Sequence, residues 1–139
     1  EAARGLPFLL TARAENFLWG RPDLDDTIRR LQAFSAAGAE VLFAPGLPSL
    51  EAIRLVCSSL DKPVNAVMGF QGSVYSLDEL QAAGVKRVSV GGSFARAALG
   101  ALLRAAREVK ELGTFGYAAD AVSHAEVSEF MSSVKRPPL

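Results

Sequence analysis

LPFLLTARAEN, residues 6–16, joins a nearly unbroken apolar run to an abruptly polar end. A run that is apolar at successive positions is typical of a strand covered on both faces, as in a parallel sheet flanked by helices. We therefore predict a buried strand over residues 6–13. Its carboxyl end carries Arg13, Glu15 and Asn16, which is an unusual density of polar groups for the end of a buried strand.

The pattern of a short apolar run followed by an amphipathic stretch recurs along the chain. Further strands are predicted over residues 40–44, 64–68 and 85–90. Helical spacing and cap signals predict helices over residues 23–38, 49–60, 76–84 and 93–112, and a weaker one over 118–133. This alternation predicts an α/β fold of four consecutive βα units on a parallel sheet with right-handed crossovers.

Two architectures fit this alternation. One is a doubly wound open sheet, and the other is half of a (β/α)₈ barrel, since a complete barrel needs about 250 residues and this chain has 139. The pattern alone leaves both open. In either case the carboxyl ends of the strands form the site, and these ends fall at residues 11–16, 44–47, 65–72 and 89–93.

Composition excludes several classes of function. Fifteen basic residues balance fifteen acidic ones, which argues against a nucleic-acid partner and against electrostatic attachment to a membrane. One cysteine and one histidine exclude an internal disulfide and metal sites built from several of these residues. The chain contains no apolar run near the roughly 18 residues that span a bilayer. We expect a cytoplasmic protein.

Three side chains at the strand ends are candidates for binding substrate. Arg13 offers a planar fork of donors for a carboxylate or phosphate, and Glu15 could hold it in place or bind a metal-bound water. The alternative is a structural ion pair that closes the sheet. Asn65, within an apolar strand, needs partners because an unsatisfied buried amide costs about 1–3 kcal/mol, and these could be substrate or neighbouring protein groups.

Gly91 and Gly92 are candidates of a different kind. They precede the predicted helix that begins at Ser93, and free N–H groups at a helix start favour an anion. The alternative is that the glycine pair only allows close packing of strand and helix.

The other titratable groups fit structural roles. Cys57 lies beside an inward-facing helical position and is predicted to be a small core residue. His124 falls on a late polar helix and is predicted at the surface. Asp23, Asp25 and Asp26 cluster at a helix start, where capping explains them. The sequence shows no metal-ligand cluster.

A family resemblance emerges from several ordered pieces that together cover nearly the whole chain. The sequence resembles the isocitrate lyase and phosphoenolpyruvate mutase superfamily, in its phosphonomutase-like branch. The matching pieces are TARAEN at 11–16, RPDLDDTIRR at 21–30, AAGAEVLF at 36–43, KPVN at 62–65, LQAAGVKRVSVGG at 80–92 and GTF at 113–115.

This resemblance implies a (β/α)₈ barrel in which the chain supplies the C-terminal half, strands five to eight. It implies Mg²⁺-dependent cleavage of C–C or P–C bonds in small 2-oxo acids or their adducts, through an enolate-like species. Arg13 matches the arginine that grips a carboxylate or phosphonate, Glu15 matches a position beside the site, and Asn65 falls on a strand that carries substrate-binding side chains in some members.

The resemblance also implies which parts lie elsewhere. The metal-binding acidic residues and the loop with the catalytic cysteine belong to earlier strands, so the Mg²⁺ ligands and the catalytic residues are expected outside this chain. Because the chain begins with Glu1, we expect an N-terminal half-barrel, as a preceding segment or a separate chain. The family also implies a homo-oligomer. Residues 1–115 would form the half-barrel, and residues 116–139 a C-terminal helix and tail that exchange between subunits.

Two other functions stay open. A half-barrel has two unpaired strand edges, so the chain could be a non-catalytic unit that assembles with another chain. Alternatively, a small flavodoxin-like domain could bind a phosphate ligand at the turn formed by Gly91, Gly92 and Ser93.

Overall fold

The computed structural model describes residues 5–69 and 74–133, and these residues form two compact units, one up to Phe94 and one from Ala95 onward. In chain order the first unit contains β1 (Thr11–Arg13), α1 (Leu24–Ala36), β2 (Val41–Phe43), α2 (Leu50–Ser58), β3 (Val64–Val67), α3 (Leu77–Ala82) and β4 (Arg87–Ser89). Helix α4 (Ser93–Leu112) follows, and then a 3₁₀ helix (Gly116–Asp120) and α5 (His124–Ser133). No helix among these described residues is long and apolar enough to cross a membrane.

The strand order decides between the two predicted architectures. All four strands are parallel, and each pairs with the next one along the chain, in the order β1-β2-β3-β4. A doubly wound sheet reverses its strand order at a switch point, and these four strands contain no such reversal. The fold is therefore α/β with four consecutive βα units, as in half of a (β/α)₈ barrel, and the flavodoxin-like alternative is wrong.

The core of the first unit lies between helices α1, α2 and α3 and one face of the sheet. Ala12, Leu42 and Val64 align across three strands. Leu42 and Val64 join Leu31 of α1 and Val56 of α2 in one buried cluster. A second cluster joins α2, α3 and β3 through Ile53, Ala66, Leu80, Ala83 and Val85. Burial of these aliphatic side chains stabilises the helix-covered face, at roughly 1.5–3 kcal/mol for each large one.

Helix starts agree closely with the sequence signals. The side chains of Asp23 and Ser49 accept hydrogen bonds from the first-turn amides of α1 and α2. Ser76 and Glu79 form the predicted capping box at α3. Hydrogen bonds from the backbone and side chain of Ser76 hold the pKa of Glu79 below its ordinary value. Side-chain caps therefore place these three helices locally, before tertiary packing contributes.

The predicted strand over residues 6–13 is wrong in length and in burial. Only residues 11–13 form β1, and Leu6, Phe8, Leu9 and Leu10 are exposed. Strand β1 pairs with β2 on one side, and within the described ranges no strand covers its other side. The apolar side chains of residues 6–10 are therefore exposed, whereas their composition predicts burial under neighbouring strands or helices.

The weak helix predicted over residues 118–133 is divided in the structure. The 3₁₀ helix ends at Asp120, and α5 begins at His124. Ser123 and Glu126 exchange the hydrogen bonds of a capping box at this start: the Ser123 backbone N–H donates to Glu126, and the Glu126 N–H donates to the Ser123 hydroxyl. The Ser-x-x-Glu spacing was the signal that could have located this start.

Candidate functional site

A row of four side chains crosses the sheet on the face opposite the helix-covered core. Arg13 of β1 pairs in register with Phe43 of β2, Phe43 with Asn65 of β3, and Asn65 with Arg87 of β4. Because side chains alternate along a strand, this row faces away from Leu42 and Val64. The sheet thus presents two guanidinium groups, one ring and one amide on a single face.

Arg13 is held from two directions. Its Nε lies 2.6 Å from Oε1 of Glu15, and its guanidinium carbon lies 5.2 Å from the centroid of the Phe43 ring. A guanidinium over an aromatic face gains a cation–π attraction, and the carboxylate restricts its rotation. The structure therefore brings Arg13 and Glu15 together, as both of their sequence-based interpretations required.

Asn65 is part of a polar network within the sheet. Its side chain is buried, with 2% exposure. Its Nδ2 donates to Oγ of Ser89 over 3.1 Å, and its Oδ1 accepts from Arg87 over 2.8 Å. Because protein groups already satisfy the amide, the geometry explains Asn65 without a ligand. Its role in substrate binding stays a prediction.

Sequence reasoning missed Arg87, and it included Ser89 in the fourth strand end without naming it as a site residue. Both lie on β4, and both contact Asn65. The available signal was the alternation of polar Arg87 and Ser89 with apolar Val88 and Val90. This two-residue period indicates a strand with one polar face.

Gly91 and Gly92 form the turn between β4 and α4. Gly91 adopts a left-handed φ of 51° and lines a concave surface at the carboxyl ends of the strands. The N–H of Ser93, which follows the pair, donates to the carbonyl of Val90 over 3.0 Å. That amide is therefore already used within the turn, and binding of an anion by the two glycines stays a prediction.

The concave surface at the strand ends encloses a volume of about 720 Å³. It is lined by groups from all four predicted strand ends, including Arg13, Pro45, Asn65, Ser89 and Gly91, and by Phe43 of β2. Apolar walls come from Leu47, Met68 and Tyr75, among others. Gln71 and Gly72, at the predicted third strand end, lie outside the described residues. An apolar surface with a few polar groups is typical of a small-molecule site.

A second polar network links the turn after β1 to α1. Trp19 Nε1 donates to Oε2 of Glu15 over 2.9 Å, and Asn16 Nδ2 donates to Oδ2 of Asp26 over 2.7 Å. Asp26 also pairs with Arg29 and Arg30 on its own helix. The carboxylates at this helix start were interpreted as capping residues, and Asp23 is indeed the N-cap. The contact between Asp26 and Asn16 is different, because it depends on tertiary structure.

We expect Asp26 to titrate well below an ordinary aspartate. Hydrogen bonds from Arg30 and then from Asn16 lower the pKa of Asp26 from 3.8 to about 2. Because the folded pKa lies below the unfolded one, Asp26 contributes to stability above about pH 4, and this contribution is lost as the pH falls toward 2. In an Arg30→Gln variant the pKa of Asp26 should rise.

Carboxyl chemical shifts followed by NMR between pH 1 and 6 measure this pKa. Arg54→Gln, which removes one exposed charge from α2, is the matched control and should leave Asp26 unchanged. An ordinary pKa for Asp26 in the unaltered protein would contradict the network.

The residues present at the site do not fit a Mg²⁺ ion by themselves. Mg²⁺ prefers carboxylate and other oxygen ligands, and the row offers two cations. Within residues 5–69 and 74–133, no group of three or more acidic, histidine or cysteine side chains is placed to hold a metal. Glu15 is engaged by Arg13 and Trp19. A Mg²⁺ ion at this surface would therefore need carboxylates from outside the described residues.

Cys57 and His124 lie where their structural interpretations predict. Cys57 is half-buried and packs against both core clusters, and burial raises the pKa of its thiol. A less nucleophilic thiol in the core fits packing. His124 is exposed at the first position of α5.

The comparison with protein families gives one extensive match. The sequence model described as phosphoenolpyruvate phosphomutase matches residues 1–110, which include all four strands and most of α4. No curated protein matches the chain.

Solved structures resemble the chain across most of its length. A protein from Burkholderia cenocepacia J2315, provisionally described as a lyase/mutase, is 54% identical with a TM-score of 0.89, over 99% of this chain and 50% of that one. A provisional phosphonomutase from the same organism is 32% identical with a TM-score of 0.67, over 75% and 43%. A phosphonopyruvate hydrolase in complex with oxalate and Mg²⁺ is 25% identical with a TM-score of 0.71, over 94% and 48%. The chain thus spans about half the length of these structures.

Proposed function

Because this chain belongs to the phosphoenolpyruvate phosphomutase family, we propose that it forms part of a Mg²⁺-dependent lyase or phosphonomutase-like enzyme that acts on small 2-oxo acids or their adducts. The reaction would break a C–C or P–C bond through an enolate-like intermediate. Arg13 would bind the anionic end of the substrate, and Glu15 would hold Arg13 in place.

One observation carries the proposal: Arg13 lies on a concave surface at the strand ends, fixed by Glu15 and by the Phe43 ring. The ion pair uses Nε of Arg13. The two terminal nitrogens are then the donors for a carboxylate or phosphonate, which a guanidinium binds with two parallel hydrogen bonds. An exposed ion pair is worth only about 0–1 kcal/mol, so Glu15 orients Arg13 without outcompeting a bound dianion.

The similarity to solved structures supports the same chemistry. The phosphonopyruvate hydrolase was solved with oxalate and Mg²⁺, and oxalate is a small dianion of the kind that Arg13 would grip. We propose that the Mg²⁺ ligands and the catalytic residues come from an N-terminal half-barrel, as a preceding segment or another chain. A cytoplasmic location, a homo-oligomer and exchange of residues 116–139 between subunits stay predictions within this proposal.

An Arg13→Ala substitution tests this proposal. In the assembled barrel with Mg²⁺ present, we expect oxalate to bind about 10- to 100-fold more weakly, since a charge-assisted hydrogen bond contributes about 1.5–3 kcal/mol. Arg13→Lys keeps the charge but loses the planar fork, and should weaken binding to an intermediate degree. Isothermal titration calorimetry gives the dissociation constants.

Arg54→Ala on α2 is the matched control, because it removes an exposed arginine away from the concave surface. Its affinity for oxalate should equal that of the unaltered protein. Equal affinity in the Arg13→Ala variant would overturn the proposed role of Arg13.

A second function, a non-catalytic half-barrel that assembles with another chain, is favoured by the exposed apolar run before β1. Leu6, Phe8, Leu9 and Leu10 lie next to a strand that pairs on one side only within the described ranges. Unpaired edges with apolar neighbours invite association. Sedimentation of this chain distinguishes the cases: a well-folded monomer at micromolar concentration would count against self-assembly and against an obligate partner.

A further inference from the structure

The turn after β1 contains a tryptophan that is fastened twice to Glu15. The Trp19 backbone N–H donates to the Glu15 carbonyl over 3.2 Å, and its indole Nε1 donates to Oε2 of the Glu15 side chain over 2.9 Å. Trp19 as a whole residue is 75% exposed. The described residues therefore hold Trp19 mainly through polar contacts with one residue, and little through packing.

Glu15 uses its two carboxylate oxygens for two different partners. Oε2 accepts from Trp19, and Oε1 lies 2.6 Å from Nε of Arg13. The contacts thus form a continuous series from Trp19 through Glu15 to Arg13, which then lies over Phe43. An indole N–H can only donate a hydrogen bond, so it suits the acceptor oxygen of a carboxylate that also pairs with an arginine.

The turn that carries Trp19 is itself anchored to α1. The Arg21 N–H donates to the Asn16 carbonyl over 2.9 Å, and the Asn16 side chain donates to Asp26. Asp26 in turn pairs with Arg30. The turn that carries the indole is therefore hydrogen-bonded to a helix. This connection limits the movement of Trp19, so its hydrogen bond can restrain the Glu15 side chain.

Restraint of Glu15 matters because arginine has a long side chain with many rotamers, and Glu15 is one of the two groups that hold Arg13 in place. Ordering an arginine side chain costs rotamer entropy, and a binding site that orders it in advance avoids part of this cost when the ligand arrives. We propose that Trp19 is a positioning residue: through its hydrogen bond to Glu15 it pre-orients the Arg13 guanidinium for a carboxylate or phosphonate. This inference rests on the proposed function of Arg13.

A Trp19→Phe substitution tests the inference, since it keeps an aromatic ring and removes the N–H donor. In the assembled barrel with Mg²⁺, we expect oxalate to bind about threefold to tenfold more weakly, the range for loss of one hydrogen bond of modest net strength. The free energy of unfolding should change little, because Trp19 is mostly exposed. Tyr117→Phe removes the polar group of another exposed aromatic residue and serves as the matched control, with unchanged affinity.

A double-mutant cycle with Glu15→Gln separates positioning from a general structural effect. If Trp19 acts through Glu15, the two substitutions together should weaken oxalate binding by less than the product of their separate effects. If the double variant instead loses oxalate affinity by the full product of the two separate fold-changes, Trp19 does not act through Glu15. A loss of stability in Trp19→Phe that accounts for the loss of binding would overturn positioning altogether.

The fluorescence of Trp19 distinguishes a positioning role from a merely structural one, because a structural tryptophan would not respond to oxalate bound at Arg13. Trp19 is the single tryptophan of these 139 residues, and the difference between the spectra of the unaltered protein and Trp19→Phe isolates its signal. Oxalate should change this signal in the unaltered protein and leave it unchanged in Arg13→Ala. No change in the unaltered protein at saturating oxalate would contradict the inference.

The two proposals fail in distinguishable ways. If Arg13→Ala weakens oxalate binding and Trp19→Phe does not, the proposed function stands and the positioning role is wrong. If Arg13→Ala itself has no effect on binding, the proposed function fails, and the role of Trp19 fails with it.

Discussion

Replacing Leu42 with alanine is expected to lower the free energy of unfolding by about 2–5 kcal/mol. Leu42 lies in the middle of β2 with no exposed surface, and it joins Leu31, Val56 and Val64 in the larger core cluster. Truncation removes buried methyl groups and leaves a cavity that strands on both sides cannot easily fill, because β2 pairs with both β1 and β3. Urea unfolding followed by circular dichroism measures the loss.

Leu55→Ala is the matched control for this prediction. Leu55 belongs to α2 but is 47% exposed, so its truncation should cost less than about 1 kcal/mol. If Leu42→Ala and Leu55→Ala lower the free energy of unfolding equally, packing on the helix-covered face of the sheet is not the main source of stability in the first compact unit.

The second large loss of stability is expected from Gly69→Ala, which adds a single methyl group. This residue follows β3 and has a left-handed φ of 86°, which costs a residue with a Cβ about 1–2 kcal/mol. A Cβ built there would also lie 2.7 Å from Cβ of Ser93, the first residue of α4. Because that atom is attached directly to the backbone, the helix start must shift.

We therefore expect Gly69→Ala to lower the free energy of unfolding by about 2 kcal/mol or more. Gly92→Ala is the matched control: a Cβ at Gly92 meets no atom within 4 Å, and its φ is not left-handed. Thermal unfolding of both variants makes the comparison. A loss in Gly92→Ala as large as that in Gly69→Ala would show that the close approach to Ser93 is not the cause.

Gly69 also shows how the fold builds the candidate site. Its close approach to Ser93 brings the end of β3 near the turn that follows β4. The same edge of the sheet carries Asn65, Ser89 and Gly91 on the concave surface. A shift of the helix start would therefore move groups of this surface, so Gly69→Ala is expected to affect the site as well as stability.

Much of the fold was predictable from local sequence. Side-chain caps at Asp23, Ser49 and Ser76 located three helix starts, because a cap satisfies backbone donors within a few residues. Short apolar runs alternating with stretches of helical spacing predicted four βα units in the correct order. The helix over residues 93–112 has the predicted limits.

Less of the site was predictable, since its contacts join residues far apart in the chain. Arg13 and Glu15 were found because they lie close together at an abrupt polar end. Arg87 was missed, and its contact with Asn65 crosses 22 positions. Leu6, Phe8 and Leu9 are apolar, which predicts burial, but burial depends on which strands and helices lie nearby.

The sequence by itself determined the βα alternation, the helix starts and the polar end of β1, because each depends on periodicity or on contacts within one turn. Family membership too was recognisable from its ordered motifs. Only the tertiary structure decided the strand order, which excluded the doubly wound sheet, and the register that sets Arg13, Phe43, Asn65 and Arg87 in one row. Register and strand order arise from pairing between distant segments, and the same local patterns are compatible with either architecture.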